Sequence, residues 1–201
     1  MNIGNIEVII KNGNVALENA DCIVVPEFND CASYGGVGAS IADCGMRRGL
    51  DIYNAAAQTK PLESGQVMIT ESGLKNIKLA HVATVNAEKT EQFRVVFEAV
   101  LRLLAEAEKQ GITTIAIPEL GTGIIGSLTQ EQSARAIFAA VNEYVLHNSK
   151  TNIERLTLVI FRSSTTPAEN VLARGKFDYQ EEIGAKEFSV TKWFEGMGYG
   201  W

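Results

Sequence analysis

Thr114-Ile115-Ala116-Ile117-Pro118-Glu119-Leu120-Gly121-Thr122-Gly123-Ile124-Ile125-Gly126 is the stretch that decides the fold. Its first half is a short apolar run, as expected of a strand covered on both faces. The run breaks at three glycines. Behind them Thr129-Gln130-Glu131-Gln132 fits a capping box, and Ala134, Ile137, Phe138, Val141 and Val145 recur at helical spacing. Glycine admits positive φ and lets a ligand approach the main chain. Successive N–H groups in such a turn form an anion-binding concavity. Strand, glycine loop and helix together therefore predict a phosphate-binding loop.

Two familiar loop types do not fit. The glycines match G-x-G-x-x-G, but a dinucleotide fold needs this motif in its first βα turn, with an acidic residue at the next strand end. Here the loop lies past mid-chain, and the corresponding segment, Val141-Asn142-Glu143, falls inside a helix pattern. No Lys-Ser/Thr follows the glycines, which excludes a Walker A loop.

Outward from this loop the chain alternates strand and helix patterns. Strands are predicted at Ile6–Ile10, Cys22–Val25, Gln66–Thr70, Lys78–Ala83, Thr113–Ile117 and Leu156–Phe161. Helices are predicted from Val37–Gly38 through Cys44, over Leu50–Gln58, between Thr90 and Gln110, after Thr129, and over Pro167–Arg174. This alternation implies an α/β sandwich with a largely parallel or mixed sheet. The 201 residues suffice for one domain with a core. A net charge of −6 argues against a general nucleic-acid or anionic-membrane binder, and no apolar run is long enough to span a bilayer. No signal peptide is visible, so a cytoplasmic location is expected. Cys22 reads as core, whereas Cys31 and Cys44 flank a glycine loop and are expected to be partly exposed. Neither the cysteines nor His81 and His147 have metal-ligand spacing, so no metal and no cofactor is expected.

A second glycine loop, Gly35-Gly36-Val37-Gly38-Ala39, opens a helix pattern, and a helix start is itself a site for anions. Ligands of open α/β sheets bind beyond the carboxyl ends of the strands. Both loops follow strands, so two phosphate nests on one edge suit a diphosphate. With both loops, and with Gly65–Thr70 and Lys78–Val82 between them, the chain resembles the macro domain, an ADP-ribose-binding family, from about Ile6 to Ala173. The resemblance is to a divergent member of the type that processes ADP-ribose 1-phosphate.

The resemblance implies a three-layer α/β/α sandwich around a mixed sheet of roughly six strands. It implies that Gly35, Gly36, Val37 and Gly38 line a diphosphate on one side, and Gly121, Thr122, Gly123, Ile124, Ile125 and Gly126 on the other. Asn14, beside Val15, stands where the family has an adenine-binding Asp; its carbonyl oxygen would accept from the adenine amine, or it simply makes the turn after Gly13. Phe161 or Arg162 would border the adenine. The hydrolytic members' Asn-Ala-Ala-Asn run is replaced by Val25-Pro26-Glu27-Phe28, with Asn29 one place off. Gly38 replaces the Asp of the first loop and Ile125 the aromatic of the second.

These departures favour a module that binds ADP-ribose or a related nucleotide diphosphate, free or on a modified macromolecule. The alternative is a hydrolase of ADP-ribosyl groups or ADP-ribose 1-phosphate, with Glu27 as general base and Asn29 as orienting group once they swing into the cleft. A third reading is a degenerate fold with an assembly role. Residues 175–201, beyond a domain at 1–174, hold both tryptophans and seven of the fifteen aromatic residues. Such a segment is expected to pack on its own domain or to form a homo-oligomer contact.

Overall fold

A computed structural model describes residues 1–28, 31, 36–52, 55, 58, 61–84, 91–123, 126–161, 164–175, 192 and 195. Asn29, Gly35, Ile124, Ile125, Arg162 and most of the aromatic C-terminal segment lie outside the described residues. So does much of the helix expected over Leu50–Gln58, of which Ile52 and Ala55 are described as helical.

Seven strands form one sheet: β1 (Asn2–Ile3), β2 (Ile6–Asn12), β3 (Cys22–Glu27), β4 (Val67–Glu71), β5 (Lys78–Ala83), β6 (Thr114–Pro118) and β7 (Arg155–Ile160). Their order is β1-β2-β7-β6-β3-β5-β4. The five inner strands are parallel, while β1 on β2 and β4 on β5 are antiparallel. The sheet is mixed as expected, with one strand more than the roughly six that the resemblance implies. The extra one is the two-residue β1, too short to show periodicity.

The helices are α1 (Gly36–Ser40), α2 (Gln92–Lys109), α3 (Gln130–His147) and α4 (Thr166–Arg174). Alternate strand residues feed two cores. Cys22, Val24, Ile115, Ile117, Leu156 and Leu158 pack with α2, α3 and α4. Ile23, Val25, Leu79, Ala116 and Val159 pack with Val15, Ile41, Leu50 and Ile52 on the opposite face. Both faces are thus covered, which is why these strands read as continuous apolar runs. The α2 stripe Val96, Phe97, Val100 and Leu104 is fully buried. Burying a side chain the size of Phe97 is worth about 1.5–3 kcal/mol. The α3 face is rich in alanine (Ala134, Ala136, Ala139, Ala140), which leaves room for α2 alongside.

The helix starts follow local chemistry. Thr129 caps α3, accepting from the Gln132 backbone, while the Gln132 side chain reaches back to Thr129 N–H at 2.9 Å. This reciprocal pair satisfies two donors left over at the helix end. After Ser40, α1 loosens into a π-helical turn, Ile41–Gly45. A side chain at Gly45 would crowd Ile41 and Leu50 at 3.1 Å, so glycine lets this turn pack on the core.

The topology places the cleft. Neighbouring strands β3 and β6 leave the sheet on opposite sides, β3 toward α1 and β6 toward α3. Their loops diverge, and a crevice opens between them beyond the strand ends.

Candidate functional site

That crevice holds a cavity of about 570 Å³, within the range of ligand pockets. Gly36 and Val37 line it from the first loop, and Gly121, Thr122, Gly123 and Gly126 from the second. Asn14, Val15 and Phe161 line it at the β2–β7 end. Gly38, expected there as well, is buried within α1 and is not part of the lining. Val37, one residue before it, and Ser40, two residues after it, line the cleft instead.

The glycines divide into two kinds. Gly121 sits at φ +72°, where other residues are strained. A Cβ at Gly126 would collide with the Gly121 carbonyl and the Gly123 amide. The loop closes on itself through Gly126 N–H to Gly123 O (2.8 Å) and Leu128 N–H to Gly121 O (3.0 Å). These two glycines make the loop possible. Gly36 and Gly123 are different, because a Cβ there would meet nothing within 4 Å. They leave the cavity open for a ligand.

Asn14 is held more tightly than a turn residue needs. Its Oδ1 accepts from Ala16 N–H (3.0 Å) and from Ser40 Oγ (2.8 Å). The first bond fixes which side-chain atom is oxygen and caps the short 3-10 turn Val15–Leu17. Arg48 secures the same turn, donating to the Ala16 and Glu18 carbonyls at 3.0 and 2.7 Å. With both oxygen lone pairs in use, Asn14 offers a ligand its Nδ2 donor rather than the carbonyl acceptor expected from the sequence. The turn-making role of Asn14 is therefore real, and it shapes what the cleft presents.

Glu27 does not swing into the cleft. It is 1% exposed, and its Oε1 lies 2.8 Å from His81 Nδ1. His81 is fully buried, and its Nε2 meets Thr70 Oγ1 at 3.0 Å. Glu27, His81 and Thr70 thus form a polar line across β3, β5 and β4 within the protein. The reason is strand alternation: Pro26 and Phe28 line the cleft, and the residue between them does not. A general-base role for Glu27 in the cleft is lost with that placement. Asn29 lies outside the described residues.

The carboxyl group that does line the cleft is Glu119, between β6 and the second loop. Burial holds it above the ordinary glutamate range, and a hydrogen bond with the Gln130 side chain pulls it partly back. Among the described residues it is the one charged group in the lining. Thr84 and Val159 also line the cavity. Sequence reasoning passed over Ser40, Thr84 and Glu119. Signals existed: Ser40 stands one helical turn after Gly36, Thr84 directly follows an apolar strand, and Glu119 stands two residues before Gly121.

None of the three cysteines is part of the cleft lining. Cys22 is fully buried, and burial pushes its thiol up to about 12. Cys31, expected to be partly exposed, is 3% exposed and packs against Leu62 and Ala83. Cys44 is half-buried. Among the described residues, no group of three or more His, Cys, Asp or Glu is placed to hold a metal ion, and no helix is long and apolar enough to cross a membrane.

The sequence profile of the Macro domain family matches residues 30–137, more than half of the chain. The chain belongs to the Macro domain family. This macrodomain is 27% identical over 162 residues to human protein mono-ADP-ribosyltransferase PARP14, covering 80% of this chain and 8% of the human protein. It is 29% identical over 143 residues to an uncharacterised protein of Pyrobaculum aerophilum, covering 67% of this chain and 76% of the other. Among solved structures, the Oceanobacillus iheyensis macrodomain with ADP superposes with a TM-score of 0.71 at 17% identity, covering 87% of this chain and 94% of that one. The Trypanosoma brucei macrodomain in complex with ADP-ribose gives 0.67 at 16% identity, covering 84% and 69%. These two likenesses establish the fold; the residues of the cleft are this macrodomain's own.

Proposed function

We propose that this macrodomain binds ADP-ribose or a closely related nucleotide diphosphate in the cleft between its two glycine loops. The observation that carries the reading is the pair of open glycines, Gly36 and Gly123, on opposite walls of one cavity. A diphosphate needs close approach to main-chain N–H groups from two sides, and side chains are missing at these two points. Macrodomains of the same fold have been solved with ADP and with ADP-ribose, which supports the ligand class. Binding comes before hydrolysis in this reading. Glu27 is engaged with His81, and the cleft's carboxyl, Glu119, adjoins the phosphate loop.

Isothermal titration with ADP-ribose, ADP and AMP tests the proposal. Micromolar binding of ADP-ribose, about −8 kcal/mol, is the expected result. Gly36→Glu and Gly123→Glu each abolish it, because a glutamate there enters the cavity and repels a diphosphate. Since neither Cβ meets a neighbour, both variants keep the wild-type melting temperature. Undiminished binding by both variants would rule out this cleft.

A further inference from the structure

Glu119 is out of place in a cleft for anions. It stands directly after β6, half-buried, and the Gln130 side chain at the start of α3 donates a hydrogen bond to its carboxyl. It lines the cavity together with Gly121, Thr122 and Gly123 of the second loop. A carboxylate there repels any phosphate that enters. Half-burial strengthens that repulsion, because less water screens it.

Among the described residues of the lining, no Lys, Arg or His offsets this charge. The cations of neighbouring elements are engaged elsewhere. Arg48 donates to the Ala16 and Glu18 carbonyls. Arg135 and Arg174 both meet Glu131 Oε1, at 2.7 and 3.0 Å. Lys11 pairs with Glu18 at 2.9 Å. What the two loops offer a phosphate is main chain, and main-chain N–H groups bring dipoles rather than a full charge.

That combination sorts nucleotides by charge. A diphosphate esterified at both ends carries one negative charge per phosphate. A free terminal phosphate adds another above its second pKa, about 6. With N–H donors alone this extra charge finds no counter-charge, and Glu119 opposes it. Discrimination between ligands is commonly built from such a repulsive element, at some loss of affinity for the right one.

We infer that Glu119 is a charge-selecting residue, which restricts the cleft to diphosphates esterified at both ends and turns away nucleotides with a free terminal phosphate. The inference rests on the nucleotide reading above and narrows its ligand class.

The test is calorimetric titration at pH 8 with ADP and with its β-phosphate methyl ester, ADP-ribose serving as the reference ligand. The proteins are the wild type, Glu119→Gln and Glu119→Asp, with melting temperatures recorded without ligand. ADP and the ester share base, sugar and diphosphate and differ by a methyl group and one charge. The wild type is expected to bind the ester about threefold to tenfold more tightly than ADP. Glu119→Gln keeps the side-chain shape and the melting temperature, and brings the two ligands within about twofold by tightening ADP. Glu119→Asp keeps the wild-type preference. A wild type that binds both equally, or a preference that persists in Glu119→Gln, overturns the inference while the nucleotide reading stands. An equal gain for both ligands in Glu119→Gln makes the carboxylate a general repulsion and also overturns its selecting role. So does ADP that stays undetectable in Glu119→Gln while ADP-ribose binds. If the wild type binds neither ADP-ribose nor either of the pair, the nucleotide reading falls and this one with it.

Discussion

Glu119 gives the cleft a pH dependence whose sign follows from its surroundings. Burial raises its carboxyl, with the Gln130 hydrogen bond opposing. A bound diphosphate would raise it further, because like charges disfavour ionisation. Binding then takes up a proton wherever Glu119 is ionised in the free protein. ADP-ribose affinity is highest below the Glu119 pKa and falls as pH rises through it, by at most about tenfold per pH unit. Glu119→Gln flattens that profile. Titration calorimetry across the acid-to-neutral range reads both effects, and an equally steep profile in Glu119→Gln would remove Glu119 as the source. Asn14 makes the same point at the level of one atom. Asn14 lines the cavity, but its oxygen already accepts from Ala16 N–H and Ser40 Oγ.

Strand pairing is pinned at the end of the sheet opposite the cleft. Asp21, just before β3, accepts from Thr113 N–H, Thr113 Oγ1 and Thr114 N–H at 3.0, 2.9 and 2.9 Å. Its own N–H donates to Thr114 Oγ1 at 2.9 Å. These bonds fasten the starts of β3 and β6, the two strands whose loops form the cleft. Burial pushes the Asp21 carboxyl up, but the Thr113 and Thr114 bonds outweigh it and leave the carboxyl below its ordinary value. A carboxyl lowered by folding stabilises above its unfolded pKa, and the contribution is lost as pH falls through the folded value. Asp21→Asn is expected to cost about 1–2 kcal/mol at neutral pH and to blunt acid destabilisation. Urea unfolding at neutral and acid pH checks this; equal losses at both would show that charge has no part.

Across the whole molecule, the Glu27–His81–Thr70 line ties the inner parallel strands to the antiparallel edge strand β4. His81→Ala leaves the buried Glu27 carboxyl without its imidazole partner, at an expected cost of about 3 kcal/mol. A melting temperature within a degree or two of wild type would contradict that role. The same line marks what sequence could and could not reveal. Apolar runs and glycine punctuation are local signals, so six of the seven strands, the α3 capping box and the two glycine stretches were legible from the residues alone. Their order sufficed for the resemblance to the macro domain. The fate of Glu27 was not legible. Whether a residue next to a strand end faces cleft or core depends on strand alternation and on which neighbour waits across the sheet. His81, 54 positions away in sequence, is brought to Glu27 only by parallel pairing of β3 with β5. Thr84 and Glu119 entered the cleft for the same reason, since strand order sets which chain segments share an edge. Sequence by itself determined the elements and the glycine-rich loops at one edge of the sheet. Tertiary structure decided which polar groups line the cleft, because burial and hydrogen-bond partners come from residues distant in the chain.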